Sequence, residues 1–381
     1  STSAWTIMTI PVTLLTGFLG AGKTTFLNAV LRDPRFKGTA VLINEFGETS
    51  VDHDLVAGIS SDLVTTTTGC LCCTASSDAK QALFDLWNRR KNREIDAFDR
   101  VIIETTGLAD PAPVVASLLA PPTGNLMDRV VATQFALARV VTLLDAIDGE
   151  TTIERYLEPP KQIALADTVV LSKTDLMLDP VSLSETKQLA NQVTSLNPSV
   201  TILDRHADWS PIVESLLGTA TYDLRTKGED ALAWLAAEQV ILQRQAGQGH
   251  DHGHAHEHGH DHEHDHHHDH DHHDHDNPNR HHSGIEAHAI LIEEPLEAAR
   301  FYLFLQALKL SIGSDLLRLK GLVKLADDPE RPVVAHGVQQ QVHQIDRLEN
   351  WPSDDKRTRI VLIGRNLGVE RLRSILVNEG P

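Results

Sequence analysis

Short apolar runs alternate with longer amphipathic stretches through the first half of the chain. Ile10-Pro-Val-Thr-Leu-Leu-Thr16 is apolar enough for a strand buried on both faces, and Thr25–Arg32 after it has helical spacing. The strand pattern returns at Ala40–Ile43, Asp62–Thr68, Arg100–Glu104, Ala138–Asp145, Asp167–Leu171 and Val200–Leu203. Helical spacing returns at Asp78–Arg93, with Ala79, Ala82, Leu83 and Leu86 on one face, at Ser184–Ser195 and after Trp209. Asp110 ahead of Pro111 reads as an N-cap followed by proline at the first helical position. Strands that alternate with helices predict an α/β unit, a parallel sheet with helices on both faces.

The pattern changes twice further on. Thr226–Gln245 reads as a connecting helix, and apolar patterning then stops at Gly249. His250–His282 holds 17 of the 22 histidines, most of them alternating with Asp or Glu, and no aliphatic residue larger than Ala255. Such a segment has nothing with which to build a core and is expected to be disordered. Patterning resumes with a strand at Ile285–Ile292 and a helix at Pro295–Leu310. Three or four further strands follow, among Leu316–Leu325, Pro332–His336, Val338–His343 and Thr358–Ile363, and a last helix at Val369–Asn378. Grouped strands with two helices predict a small α+β domain. The expected division is 9–218, 219–248, 249–284 and 285–381.

A length of 381 residues agrees with more than one domain, at about 100–200 residues each. The net charge of −19 argues against nucleic acid or an anionic membrane as a general partner. Nine acids and one arginine between His250 and His282 account for −8 of it. No apolar run reaches the roughly 18–20 residues of a membrane span, and the first residues lack the features of a signal peptide. Three cysteines make no disulfide framework, so a reducing cytoplasm is the expected compartment.

All three cysteines fall in Gly69-Cys70-Leu71-Cys72-Cys73. Thiolates are soft ligands, and three of them so close form a chelate suited to zinc or Cu(I). Gly17-Phe-Leu-Gly-Ala-Gly22-Lys23-Thr24, directly after the first strand, fits the phosphate-cradling pattern G-x-x-x-x-G-K-[ST]. Its glycines let the backbone N–H groups face a di- or triphosphate, Lys23 reaches the β/γ-phosphates, and Thr24 offers a hydroxyl to Mg²⁺. The expected nucleotide-binding set is Gly17, Gly20, Ala21, Gly22, Lys23, Thr24 and Thr25, with Lys173 and Asp175 farther along.

Glu104 ends an apolar strand three residues before Gly107. Glu104 is expected to hold Mg²⁺, and the Gly107 N–H to contact a γ-phosphate present only before hydrolysis, which makes this loop a switch. Lys23, Glu104 and Gly107 are the candidate catalytic set. Ser172-Lys173-Thr174-Asp175 is close to the guanine-reading N-K-x-D pattern. Asp175 can accept from the guanine N1–H and exocyclic amine, donors that adenine lacks. Ser172 replaces the usual Asn and is expected to weaken the tie to the phosphate loop or the base. In the His-rich segment, His252, His254, His256, His258, His260 and His262 are expected to bind metal weakly as accessory ligands. His336 and His343 lie on or beside strands and are assigned no site.

Gly17–Thr24, Asn44–Glu48, Gly69–Cys73, Glu104–Gly107 and Ser172–Asp175, in this order, resemble the CobW-type P-loop GTPases, relatives of the UreG and HypB nickel chaperones. Arg318–Gly321, His336–Gln339, Trp351 and Ile360–Gly364 look like that family's C-terminal domain. The resemblance implies a GTPase whose nucleotide state is coupled to metal at the cysteines, with Glu45 near the Mg²⁺ or zinc. It also implies a client apo-metalloprotein met through the C-terminal domain. No counterpart of a Ras-type glutamine stands out, so intrinsic hydrolysis is expected to be slow. Zinc suits three thiolates plus an exchangeable fourth ligand; Co²⁺ is the second choice, since some relatives are linked to cobalamin synthesis. The competing readings are a zinc store or buffer built on the His-rich segment and a P-loop kinase. No oligomeric state is assigned.

Overall fold

The computed structural model describes residues 9–43, 65–67, 75–177, 180–218 and 284–377. Seven strands form one sheet: β1 (Ile10–Gly17), β2 (Thr39–Ile43), β3 (Thr65–Thr67), β4 (Arg100–Glu104), β5 (Phe135–Asp145), β6 (Thr168–Ser172) and β7 (Thr201–Asp204). Their order is β3-β2-β4-β1-β5-β6-β7, and every neighbouring pair is parallel. The apolar runs are what a sheet covered on both faces requires. Val12 and Leu14 of β1 pack on one face against α2 (Ala75–Lys91), α3 (Ala112–Leu119) and α4 (Leu126–Gln134). Leu15 packs on the other, against α1 (Lys23–Arg32) and α8 (Trp209–Leu217).

Two short helices, α5 (Gly149–Arg155) and α6 (Glu158–Leu165), lie between β5 and β6 where the apolar pattern announced nothing. Pro159 and Pro160 open α6. Proline is tolerated in the first helical turn, where an N–H would have no intrahelical partner. Helix α7 (Pro180–Leu196) begins a turn earlier than its periodicity suggested.

The C-terminal unit is an antiparallel sheet ordered β11-β10-β9-β12-β8. Its strands are β8 (Glu286–Ile292), β9 (Leu316–Val323), β10 (Val333–Val338), β11 (Gln341–Arg347) and β12 (Thr358–Gly364). The break expected at residue 337 falls instead at 339–340, between β10 and the edge strand β11. Gln339 turns at φ 53°, and Val338 pairs with Gln341 across a two-residue turn. Helix α9 (Ala298–Ala307) starts later than expected, because Leu296 instead bridges Leu325 and exchanges backbone hydrogen bonds with Lys324 and Ala326, and it passes into a π-helical turn at Leu308–Ile312. Helix α10 (Val369–Val377) packs with α9 over one face of this sheet.

The other face closes on the first domain. Ala287, Leu317, Val361 and Ile363 share a core with Ile163, Ala164, Leu189 and Val193 of α6 and α7. This is why all seven residues of β12 are buried. At the same joint the Arg318 guanidinium, 2% exposed, meets the Asp167 carboxylate, with Lys320 at 3.8 Å. Burial pushes the Asp167 carboxyl up, but the charges of Arg318, Lys320 and Arg139 outweigh it and hold it at about 2.

Candidate nucleotide site

β1 ends at Gly17, and the chain then turns through Phe18–Gly22 into α1. Gly17 has φ 145°, and a Cβ there would lie 2.5 Å from the Leu143 carbonyl oxygen of β5, so only glycine fits. Gly20 and Gly22 turn at φ 75° and 83°. Gly22 caps α1 without a side chain, which leaves the N–H groups of the first turn open to an anion. Lys23 Nζ folds back over the loop and donates to the carbonyls of Gly17 at 3.0 Å and Phe18 at 3.2 Å.

Parallel pairing brings the next motif to the same end of the sheet. Glu104, at the close of β4, is level with Leu15 of β1 and Ile43 of β2. Thr24 Oγ1 donates to Glu104 Oε1 at 3.1 Å, and Glu104 is 5% exposed. A hydroxyl and a carboxylate so placed are hard oxygen donors, the kind Mg²⁺ takes, and they fit that ion. Thr105 N continues the ladder by donating to Leu15 O at 2.9 Å. Gly107 then comes against the crest of the phosphate loop: a Cβ on it would lie 2.6 Å from Leu19 N. The loop after β4 and the phosphate loop touch.

Ser172 Oγ donates to the Ala21 carbonyl at 2.8 Å and to Leu144 O at 3.3 Å. The serine that stands for asparagine thus has one tie to the phosphate loop: its hydroxyl sits at the end of β6 beside that loop. Lys173 is in a left-handed conformation at φ 60° and meets the Asp145 carboxylate. Asp175 Oδ1 lies 2.9 Å from His206 Nε2, both about half exposed. Asp204 Oδ1 shapes the loop that carries His206. It accepts from Thr174 Oγ1 at 2.8 Å, His206 N at 2.7 Å and Ala207 N at 3.1 Å. Between this corner and Gly20, a cleft of about 290 Å³ is lined by Ala21, Asp145, Arg155, Tyr156 and Lys173.

The structure thus brings Gly17, Gly20, Ala21, Gly22, Lys23, Thr24, Glu104, Gly107 and Lys173 around the ends of β1, β4 and β6. Thr25 lies in the first turn of α1, and Asp175 stands just beyond β6. Glu45, Cys70, Cys72, Cys73 and the histidines from His252 to His262 lie outside the described residues, as do Thr226–Gln245 and Asn44–Glu48. No group of three or more metal-ligating side chains occurs among the described residues. His336 is buried on β10, level with His343 of β11. Sequence reasoning passed over His206, Asp204, Lys161 and Gln162. An acid closing β7 and a glutamine in a Pro-Pro segment are the only traces they leave in the sequence.

The family described as CobW/HypB/UreG, nucleotide-binding domain, matches residues 11–204, and the cobalamin synthesis protein cobW C-terminal domain matches 285–378. The zinc chaperone YjiA of Escherichia coli (strain K12) is 28% identical over 365 residues, 96% of this chain and 97% of that protein. The zinc chaperone CobW of a Sinorhizobium species is 35% identical over 213 residues, 50% of this chain and 58% of its own length. The zinc-regulated GTPase metalloprotein activator 1 of Schizosaccharomyces pombe is 33% identical over 183 residues, 45% of this chain and 41% of its own. These last two are matched over about half their length. The crystal structure of Zn(II)-bound YjiA GTPase from E. coli has a TM-score of 0.63 at 21% identity, covering 98% of this chain and 99% of that one. Both domains therefore share its fold.

Proposed function

The chain belongs to the CobW/HypB/UreG family of nucleotide-binding proteins, and from this premise we propose that it is a GTP-hydrolysing metallochaperone. It takes zinc as cargo at Cys70, Cys72 and Cys73 and passes it to a client metalloprotein in a nucleotide-dependent way. One observation carries the reading. The Thr24–Glu104 pair and the Gly107–Leu19 contact lie at the end of the sheet to which β3 leads, and β3 stops three residues before Cys70. Thr67 is level with Ile43, and Ile43 with Glu104. Two strand spacings put Thr67 about 10 Å from Glu104, and three further residues reach at most about 10 Å. The first cysteine is therefore tethered within about 20 Å of the carboxylate that serves the phosphates.

In this mechanism the open N–H groups at Gly22–Thr24 cradle the phosphates, and Lys23 leaves its carbonyl partners to meet the β- and γ-oxygens. Mg²⁺, when bound at Thr24 and Glu104, neutralises charge building on the phosphates. Gly107 N–H contacts the γ-phosphate and loses that contact after hydrolysis. Asp175 turns from His206 to the guanine edge, and Ser172 holds the base corner to the phosphate loop. The C-terminal domain meets the client. Tyr302, Leu303 and Leu310 are exposed on and just beyond α9, the sort of apolar surface a partner covers. No helix among the described residues is long and apolar enough to cross a membrane. The cytoplasm is the proposed compartment, with Co²⁺ as the alternative cargo and the His-rich segment as an accessory collector.

Moving from retention to release of the metal takes an affinity change of about 10⁴, or 5.5 kcal/mol. Competitive titration of Zn²⁺ and Co²⁺ into the wild type and Cys72→Ala, with GTP analogue and with GDP, reads this directly. The expected result is tighter zinc in one nucleotide state and loss of that difference in the variant. Equal affinity in both states would sink the coupling. If deleting 250–282 removes nearly all bound metal and leaves client loading unchanged, that segment is a store beside the chaperone.

A further inference from the structure

Helix α6 grips the loop after Glu104 with two consecutive residues. Gln162, with no exposed surface, donates from Nε2 to Gly107 O at 3.2 Å and to Ala109 O at 3.1 Å. Only the NH₂ end of an amide can face two carbonyls, so its orientation is fixed by chemistry. Lys161 Nζ donates to Asp110 Oδ2 at 2.7 Å, and the other oxygen of Asp110 caps α3 through Ala112 N at 3.0 Å. Between them these two side chains hold the whole stretch from Gly107 to Asp110.

The far end of the same helix is held by the other domain. Arg318 Nη1 of β9 donates to the carbonyls of Leu165 and Ala166, the latter at 3.0 Å, while Nη2 meets Asp167. An eight-residue helix is about 12 Å long. Lys161 and Gln162 are its fourth and fifth residues, so α6 holds the switch loop at its middle and the C-terminal sheet at its end, about 5 Å farther along.

We propose that Gln162 is a positioning residue for the γ-phosphate loop, and that through it α6 carries the state of that loop to the C-terminal domain. The proposal rests on the reading of Gly107 as the γ-phosphate contact. Gly107 is confined on one side by Leu19 and held on the other through its carbonyl, which limits where its N–H can point. When the γ-phosphate is lost, the loop can withdraw only by breaking the Gln162 bonds or by drawing α6 with it. Because Arg318 is locked to the end of α6, a shift of the helix is felt in β9.

The test uses the full chain, Mg²⁺, GDP and a non-hydrolysable GTP analogue, with Gln162→Met as a variant of similar volume that cannot donate. In the wild type, amide exchange across residues 316–323 is expected to differ between the two nucleotides. In Gln162→Met, analogue affinity should fall about tenfold and GDP affinity by less than about twofold, and the exchange difference should vanish. If that variant does not fold, Lys161→Met, at a partly exposed ion pair, should show the same pattern at about threefold. Equal loss of both affinities would mark Gln162 as merely structural and overturn the proposal. So would an exchange difference that survives in the variant or is absent from the wild type. A wild type that binds neither nucleotide would instead bring down the proposed nucleotide site itself.

Discussion

Ser172 stands where a guanine-reading motif ordinarily carries asparagine, yet it still reaches the phosphate loop. Its hydroxyl donates to the carbonyl of Ala21, one of the residues that shape the cradle. In Ser172→Ala this buried oxygen loses its nearest donor, which costs about 1–3 kcal/mol where no water replaces it. In the proposed site the cradle faces the α- and β-phosphates that GTP and GDP share. Both affinities should therefore fall together, by about tenfold, with the preference for guanine over adenine unchanged. Calorimetric titration with GDP, GTP analogue and ADP checks this. A variant that lost base preference instead would place Ser172 on the base rather than on the loop.

At the scale of elements, α6 depends on a neighbour for its ending. Asn197, just past α7 and fully buried, donates from Nδ2 to the carbonyls of Ile163 at 2.9 Å, Ala164 at 3.3 Å and Ala166 at 2.8 Å. Ile163 O also accepts from Ala166 N at 3.1 Å and Ala166 O from Arg318 Nη1 at 3.0 Å, so Asn197 adds a second donor at the helix end. Asn197→Ala should destabilise the protein by about 2–4 kcal/mol, from the lost hydrogen bonds and the cavity together. The urea midpoint should fall with an unchanged m-value. This element also marks the limit of what the sequence discloses. The β/α alternation is legible because each strand is an unbroken apolar run, and the phosphate loop because its residues are contiguous. α6 is not legible: Pro159 and Pro160 read as a break, and its few apolar residues show too little of a helical period. Gln162 acts on Gly107, 55 positions away, so only the fold brings the pair together. The turn at Gln339 hides for a different reason, since it needs a left-handed residue and has no glycine or asparagine to announce it.

At the scale of the molecule, the described residues of the two domains meet through apolar packing and a buried charge pair, and the pair makes the joint sensitive to acid. Asp167 lies at about 2 in the folded protein, against an ordinary 3.8. A depressed carboxyl contributes stability that is complete above the unfolded value and is lost as pH falls through the folded one. The contribution is about 2–3 kcal/mol at neutral pH, with roughly 1 kcal/mol gone by pH 3 and most of the rest gone by pH 2. Other carboxylates titrate in the same range, Asp355 beside Arg357 among them, so acid unfolding of the wild type alone does not isolate the joint. The difference between wild type and Asp167→Asn does. At pH 6 the variant should be weaker by about 3–5 kcal/mol, because Arg318 is left buried without its counter-charge. As pH falls toward 2 the gap should narrow, since the wild type loses the same carboxylate by protonation. Urea unfolding at pH 6 and pH 3 measures it. A gap that stays constant would mean that the Asp167 charge does not titrate with the fold.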